Sequence, residues 1–200
     1  MANLKGKLVL IVGPSGSGKG TIIKNLRDRH ADFIYPVSYT TRAIRPGEVD
    51  GLVYNFISKD EFEKGIESGR FLEYAIVHGV DYYGTARDEI IGALDAGKVV
   101  VREVDIQGFH SIRDVIPAEN LISIFIEAGE LDELRKRIAK RGKLSDEEVE
   151  RRMQSAIKEI EQADECDYRI VNEYGKVEEA VDQVENFIKG DLYSGCDCCD

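Results

Sequence analysis

The body of this 200-residue chain has almost no cysteine: Cys166 stands alone, and Cys196, Cys198 and Cys199 crowd into the last five residues. That spacing excludes a disulfide-stapled scaffold and makes a reducing cytoplasm the expected compartment. Long hydrophobic runs are also missing. No stretch approaches the ~20 apolar residues that span a bilayer, so no membrane partner is expected. The short apolar run near the N-terminus lacks a small-residue cleavage site, so it is read as a strand and not as a signal peptide. Positive charge is in deficit, with 27 Lys and Arg against 38 Asp and Glu and a net charge of −11. Nucleic-acid binding rests on neutralising phosphates, so no nucleic-acid partner is expected. The three histidines, His30, His78 and His110, are scattered without a spacing that fits a metal or nucleophile site.

What is present reads as one globular domain. Hydrophobic residues make up 42% and charged residues 32% of the chain. A chain of this length buries roughly 70% of its unfolded surface and needs no metal or disulfide to hold a core. No internal repeat is visible. Four short runs rich in β-branched residues, at 7–12, 98–104, 121–127 and 167–172, are strand candidates separated or followed by helical patterns. That alternation predicts an α/β fold with a parallel sheet. The first helix is expected over 19–29, with Ile22, Ile23 and Leu26 inward. Ser58 with Glu61 and Ser145 with Glu148 form capping boxes at two further helix starts. The first precedes Phe62 and Ile66, with Gly69 as the stop. The second precedes Val149, Met153, Ile157 and Ile160. Between about 35 and 85 the pattern breaks into short tyrosine-rich pieces around a Pro46-Gly47 turn, which reads as a small insert.

Directly after the first strand comes Gly13-Pro14-Ser15-Gly16-Ser17-Gly18-Lys19-Gly20-Thr21. Glycines let backbone amides close on phosphate oxygens, and the following helix offers free N–H groups at its positive end. Lys19 supplies a mobile cation for the β and γ phosphates. The segment is therefore a phosphate-binding loop for a nucleoside triphosphate; the alternative is a glycine-rich turn with an exposed lysine. One departure stands out. The hydroxyl that usually follows the lysine and ligates Mg²⁺ is replaced by Gly20, and Thr21 points about 100° away. Mg²⁺ is expected to be held through waters and nucleotide phosphates, with no protein ligand assigned.

The segment from Ser38 to Phe56 contains Thr41-Arg42, Arg45, Gly47-Glu48, Gly51 and Tyr54-x-Phe56. It resembles the signature of the guanylate kinase family. Further blocks match in order: Phe71-Leu72-Glu73-Tyr74, Tyr82-Tyr83-Gly84-Thr85, Glu103-Val104-Asp105-Ile106-Gln107-Gly108 and Ile170-Val171-Asn172. The resemblance implies a P-loop NTPase-type parallel sheet with helices on both faces, a monophosphate-binding insert at about 35–85 and a helical lid at about 131–155. The domain is expected over 5–189, with a cysteine-rich disordered tail at 190–200. The implied reaction is phosphoryl transfer from ATP to GMP, and to dGMP, giving ADP and GDP in purine nucleotide metabolism.

By this resemblance, Arg42 and Arg45 fork onto the GMP phosphate, a contact suited to planar guanidinium groups. Ser38, Tyr54 and Tyr83 add hydroxyls. Glu73 accepts both N–H donors of the guanine edge, Thr85 donates to O6, and Asp105 completes the guanine or ribose side. Glu103 stands near the Mg²⁺ region, where many relatives carry Asp. From 135 to 152 the acidic chain turns basic. Arg137, Arg141 and Arg152 are the expected clamps on the transferring phosphoryl group, and Asn172 the expected adenine contact. Arg135, Lys136 and Lys140 read as a solvated face paired to Glu147, Glu148 and Glu150. Two alternatives remain: an interaction module that has lost catalysis, and a related kinase with another acceptor. The tail cysteines read as an oxidation-prone end, with a soft-metal site as the other possibility. The oligomer is expected to be a monomer or homodimer.

Overall fold

The computed structural model describes residues 4–77, 80–140 and 144–193. The run Lys-Leu-Val-Leu-Ile-Val forms β1 (Lys7–Val12), and residues 8–12 are fully buried. Such a run can only be a strand covered on both faces. It pairs in parallel with β6 (Val99–Val104) on one side and β7 (Leu121–Glu127) on the other, and β7 pairs in parallel with β8 (Tyr168–Val171). Ile34 adds one parallel bridge at the outer edge of β6, through Val100. All four strand candidates are present within a residue of their expected ends.

The alternation of β1 divides the core. Leu8, Leu10 and Val12 face α3 (Arg87–Asp95) and α4 (Ile106–Arg113), packing against Ile90, Leu94, Phe109 and Ile112. Val9 and Ile11 face α1 (Lys19–Arg29) and α7 (Val177–Tyr193), packing against Ile22, Leu26, Val181 and Val184. Each such side chain contributes ~1.5–3 kcal/mol on full burial, so this two-sided sandwich fixes β1 and the loop that follows it. Ile23 lies half-buried against the second cluster.

The insert is a second sheet. β2 (Tyr39–Thr40), β3 (Asn55–Phe56), β4 (Phe71–Val77) and β5 (Asp81–Ala86) lie in the order β3-β2-β5-β4. β4 and β5 form an antiparallel pair that sets Glu73 opposite Thr85. Helix α2 (Lys59–Glu67) covers this sheet through Phe62, stacked on Phe71 at 4.2 Å. Both predicted caps form: Ser58 Oγ accepts from the Glu61 amide and Ser145 Oγ from the Glu148 amide, each at 3.2 Å. Gly69 follows α2 at φ +70°, the geometry of a helix stop.

Helices α5 (Leu131–Ala139) and α6 (Asp146–Ile160) share a small core of Leu134, Ile138, Val149, Met153 and Ala156. The inward face of α6 differs from expectation at one position. Ile157 is 38% exposed, and Ala156 takes the buried place that continues the Val149–Met153 seam. Helix α7 continues to Tyr193, past the 189/190 boundary expected for the tail. Arg141, His78 and the tail cysteines Cys196, Cys198 and Cys199 lie outside the described residues.

Candidate active site

The loop 13–18 leaves β1 and wraps onto the N-terminus of α1. Gly13 has φ +141°, and a Cβ there would sit 2.3 Å from the Ile126 carbonyl oxygen of β7. Gly18 has φ +98°, and a Cβ there would sit 2.2 Å from Asn172 Nδ2. Neither position admits a side chain without moving backbone or Asn172. Lys19 Nζ folds back over the loop and donates to the Gly13 and Pro14 carbonyl oxygens at 2.5 and 3.1 Å. These bonds hold the ammonium beside the ring of loop amides that would receive phosphate oxygens.

Asn172 is buried, and its Nδ2 donates to the Ser17 carbonyl oxygen at 2.8 Å. Its own carbonyl accepts from Arg137 Nη2 at 3.0 Å. The side-chain amide expected at the adenine thus braces the loop from below. Beside it, Arg137, Gly16, Gly18, Thr21 and Tyr174 line an open hollow of about 350 Å³. Gly20 stands opposite Glu103: a Cβ on residue 20 would lie 3.6 Å from Glu103 Oε2.

On the insert side, Thr85 Oγ1 donates to Glu73 Oε1 at 2.5 Å, and Thr85 is fully buried. A carboxylate fixed in this way keeps acceptor lone pairs for a ligand. Sequence reasoning missed the group behind it. Arg102, in the middle of β6, donates through Nη2 to Ser38 Oγ at 2.5 Å and lies 3.9 Å from Glu73 Oε1. Nη1 reaches the Pro36 carbonyl oxygen at 3.4 Å. Arg102 therefore ties the parallel core to the insert and balances the charge of Glu73. The available signal was a basic residue interrupting an otherwise apolar strand, Val-Val-Val-Arg-Glu-Val.

Arg42 packs over the Tyr54 and Phe56 rings at 5.4 and 5.5 Å and pairs with Glu48 at 2.8 Å. Glu48 also accepts from the Arg45 backbone amide at 2.8 Å. Those contacts, with the Arg42 side chain foremost, hold the Glu48 carboxyl below its usual range. Glu48 is a second residue that sequence reasoning left without a role. It orients Arg42, while the Arg45 side chain reaches solvent. Tyr83 lies edge-on to Tyr54 at 5.6 Å, and it is among the smaller influences that raise the Arg42 guanidinium, after Glu48. Burial, then the neighbouring Tyr83 and Glu103, raises the Tyr54 phenol, so it remains a neutral donor at physiological pH. One cavity of about 250 Å³ is lined by Gly20 and Lys24 of α1, Ser38 and Tyr54 of the insert, and Arg102 and Glu103 of β6.

Asp105 begins α4 as its N-cap, with Oδ1 accepting from the Gly108 amide at 2.8 Å. On α6, Arg152 and Arg151 share Glu148, with closest contacts of 2.8 Å. Those two arginines pull the half-buried Glu148 carboxyl down to about 2. Arg135 pairs with Glu150 at 2.6 Å, as a solvated helix face predicts. Arg137 Nε is 3.1 Å from Glu133. The structure thus brings Arg137 to the loop and leaves Arg152 on its own helix. Among the described residues there is no group of three side chains suited to a metal ion, and no helix long and apolar enough to cross a membrane.

Comparison with known proteins follows the same lines. The guanylate kinase family model matches residues 5–191. A guanylate kinase of Trichormus variabilis is 47% identical over 168 residues, covering 84% of this chain and 83% of that protein. One from Clostridium tetani is 43% identical over 187 residues, covering 94% and 87%. The crystal structure of guanylate kinase from Anaplasma phagocytophilum superposes with a TM-score of 0.75 at 29% identity, covering 96% of this chain and 89% of that one.

Proposed function

The chain belongs to the guanylate kinase family, and on that premise we propose that it transfers the γ-phosphoryl group of ATP to GMP, releasing ADP and GDP. The observation that carries this reading is the shared cavity. It joins Gly20, in the first turn of α1 beside Lys19, to Ser38 and Tyr54 of the insert, so an acceptor held there would lie next to the phosphate loop.

In this reading the amides of 13–18 and Lys19 hold the ATP phosphates. Arg42 and Arg45 take the GMP phosphate, with Ser38, Tyr54 and Tyr83 donating hydroxyls. Glu73 accepts from guanine N1 and N2, and Thr85, Arg102 and Asp105 keep that side of the site in place. Arg137, Arg141 and Arg152 carry charge to the transferring group, with Arg152 exchanging Glu148 for phosphate on closure. Phosphoryl transfer needs in-line placement, exclusion of water and spread of charge, and no covalent intermediate.

Kinases of this family use a divalent metal, and the residues fit Mg²⁺ in one manner. Gly20 offers no side-chain hydroxyl beside Lys19, so the ion would be held by the phosphates and its waters, with Glu103 accepting from those waters. When bound, Mg²⁺ supplies charge neutralisation at the β and γ oxygens. The setting is purine nucleotide metabolism in the cytoplasm, without nucleic acid or membrane, in a monomer or homodimer. The test is product identity: MgATP and GMP should yield ADP and GDP in equal amounts. ADP without GDP would sink the assignment.

A further inference from the structure

Guanine presents three groups in a row along its recognition edge. The N2 amino group and N1–H donate, and O6 accepts. The two donors meet their acceptor in Glu73, but the residues grouped around that carboxylate leave O6 without a donor. Thr85, expected at O6, has a single hydroxyl hydrogen, and it is committed to Glu73 Oε1 at 2.5 Å. Asp105 only accepts, and its Oδ1 already takes the Gly108 amide. Arg102 carries the missing donors. Its Nη2 stands 3.9 Å from Glu73 Oε1, too far for a direct hydrogen bond, so the N–H groups on that side are not spent on the carboxylate.

The guanidinium is held in place. Arg102 sits in β6 in register with Leu10 of β1, so its backbone is fixed by the core sheet. Nη2 donates to Ser38 Oγ at 2.5 Å and Nη1 to the Pro36 carbonyl oxygen at 3.4 Å. The Arg102 side chain is 14% exposed and that of Glu73 11%, so both charges act where little water screens them. Arg102 also lines the cavity shared by Ser38, Tyr54 and Glu103, and its head group thus opens on the space an acceptor would enter. We propose that guanine docks with N2 on Glu73 Oε2 and N1 on Oε1, and that Arg102 donates from Nη2 to O6. In that order along the edge, O6 falls beyond Oε1, the oxygen beside Arg102. Arg102 is then a specificity-determining residue for 6-oxo purine acceptors. A 6-amino group would point its hydrogens at the guanidinium, so adenine is rejected at this atom as well as at N1.

The inference rests on GMP being the acceptor, and one pair of substrates separates the two claims. Turnover from MgATP is measured with GMP and with 6-thio-GMP, in which sulfur, a weak acceptor, replaces O6 while N1–H and the amino group stay. Native enzyme should prefer GMP by roughly ten- to a hundredfold in kcat/KM, the worth of one charge-assisted hydrogen bond. R102M keeps the reach of the side chain and loses its donors. Its kcat/KM for GMP should fall by a similar factor, and its preference should shrink to within about threefold. A residue that only tied the insert to the core would lower both substrates alike. An unchanged preference in R102M would therefore overturn the inference, as would native enzyme that uses both substrates equally. No turnover of GMP by native enzyme would overturn the acceptor reading beneath it. Should R102M not fold, the infrared carbonyl stretch of GMP labelled with ¹³C at C6 decides. Bound to native enzyme, it should lie below its position in water. A stretch at or above that position would overturn the proposal.

Discussion

Replacing Glu73 with Gln removes one charge and one acceptor from a site whose shape is otherwise kept. Glu73 is fixed by the 2.5 Å bond from Thr85 Oγ1 and by Arg102 at 3.9 Å. The amide oxygen of Gln can still accept from Thr85. Its NH₂, however, faces one of the two guanine donors. The change forfeits a charge-assisted hydrogen bond, ~1.5–3 kcal/mol, and leaves a buried donor unmatched, a further ~1–3 kcal/mol. Together these cost about 2.5–6 kcal/mol, roughly seventy- to twenty-five-thousand-fold in kcat/KM for GMP. Adenine presents an acceptor at N1 beside its amino group, which suits an amide better than a carboxylate. Selectivity for GMP over AMP should therefore collapse by more than activity with AMP changes. The assay is steady-state ADP release with each acceptor, with thermal melting as a control for folding. A kcat/KM for GMP within about threefold of native, at unchanged Tm, would refute the base-reading role.

Lys19→Ala should cut kcat by at least roughly a hundredfold with the Tm little changed, since charge on the transferring group is the main catalytic resource; single-turnover kinetics check it. Asn172→Ala orphans the buried Ser17 carbonyl and should cost about 1–3 kcal/mol of stability together with weaker ADP binding, read by denaturant melts and calorimetry. The folded-state pKa of Glu159, about 7, lies above its unfolded value. The native protein therefore binds more protons than the unfolded chain between about pH 4.5 and 7, and its stability falls as pH rises through that window. E159Q should melt close to native at pH 5 and above it at pH 8; a constant difference across that range would contradict the burial of the charge.

The parallel core was readable because its physics is local. β1, β6, β7 and β8 are runs of branched apolar residues, and the α1 boundaries follow from Gly18 and from Arg29 before His30. Both capping boxes encode their hydrogen bonds within four residues. The β4–β5 hairpin was visible only as family blocks. Its sheet is half-exposed, so Glu73-Tyr74-Ala75-Ile76 and Asp81-Tyr82-Tyr83 show no clean alternation. Arg102 and Glu159 escaped notice, and Glu48 was seen in the signature without a role, for a related reason. Each acts through a partner distant in sequence or across a turn, and a lone charge in a strand or helix reads as a solvated one until the fold closes on it. Ile157 was placed inward by a spacing of four from Met153, but the helix turns the seam to Ala156 and then Ile160.

The most direct measurement is ADP release from MgATP with GMP, dGMP, AMP, CMP and UMP offered separately. Guanine recognition by Glu73 and Thr85 predicts turnover with GMP, less or similar turnover with dGMP, and only background with the other three. Turnover with AMP and none with GMP would contradict it.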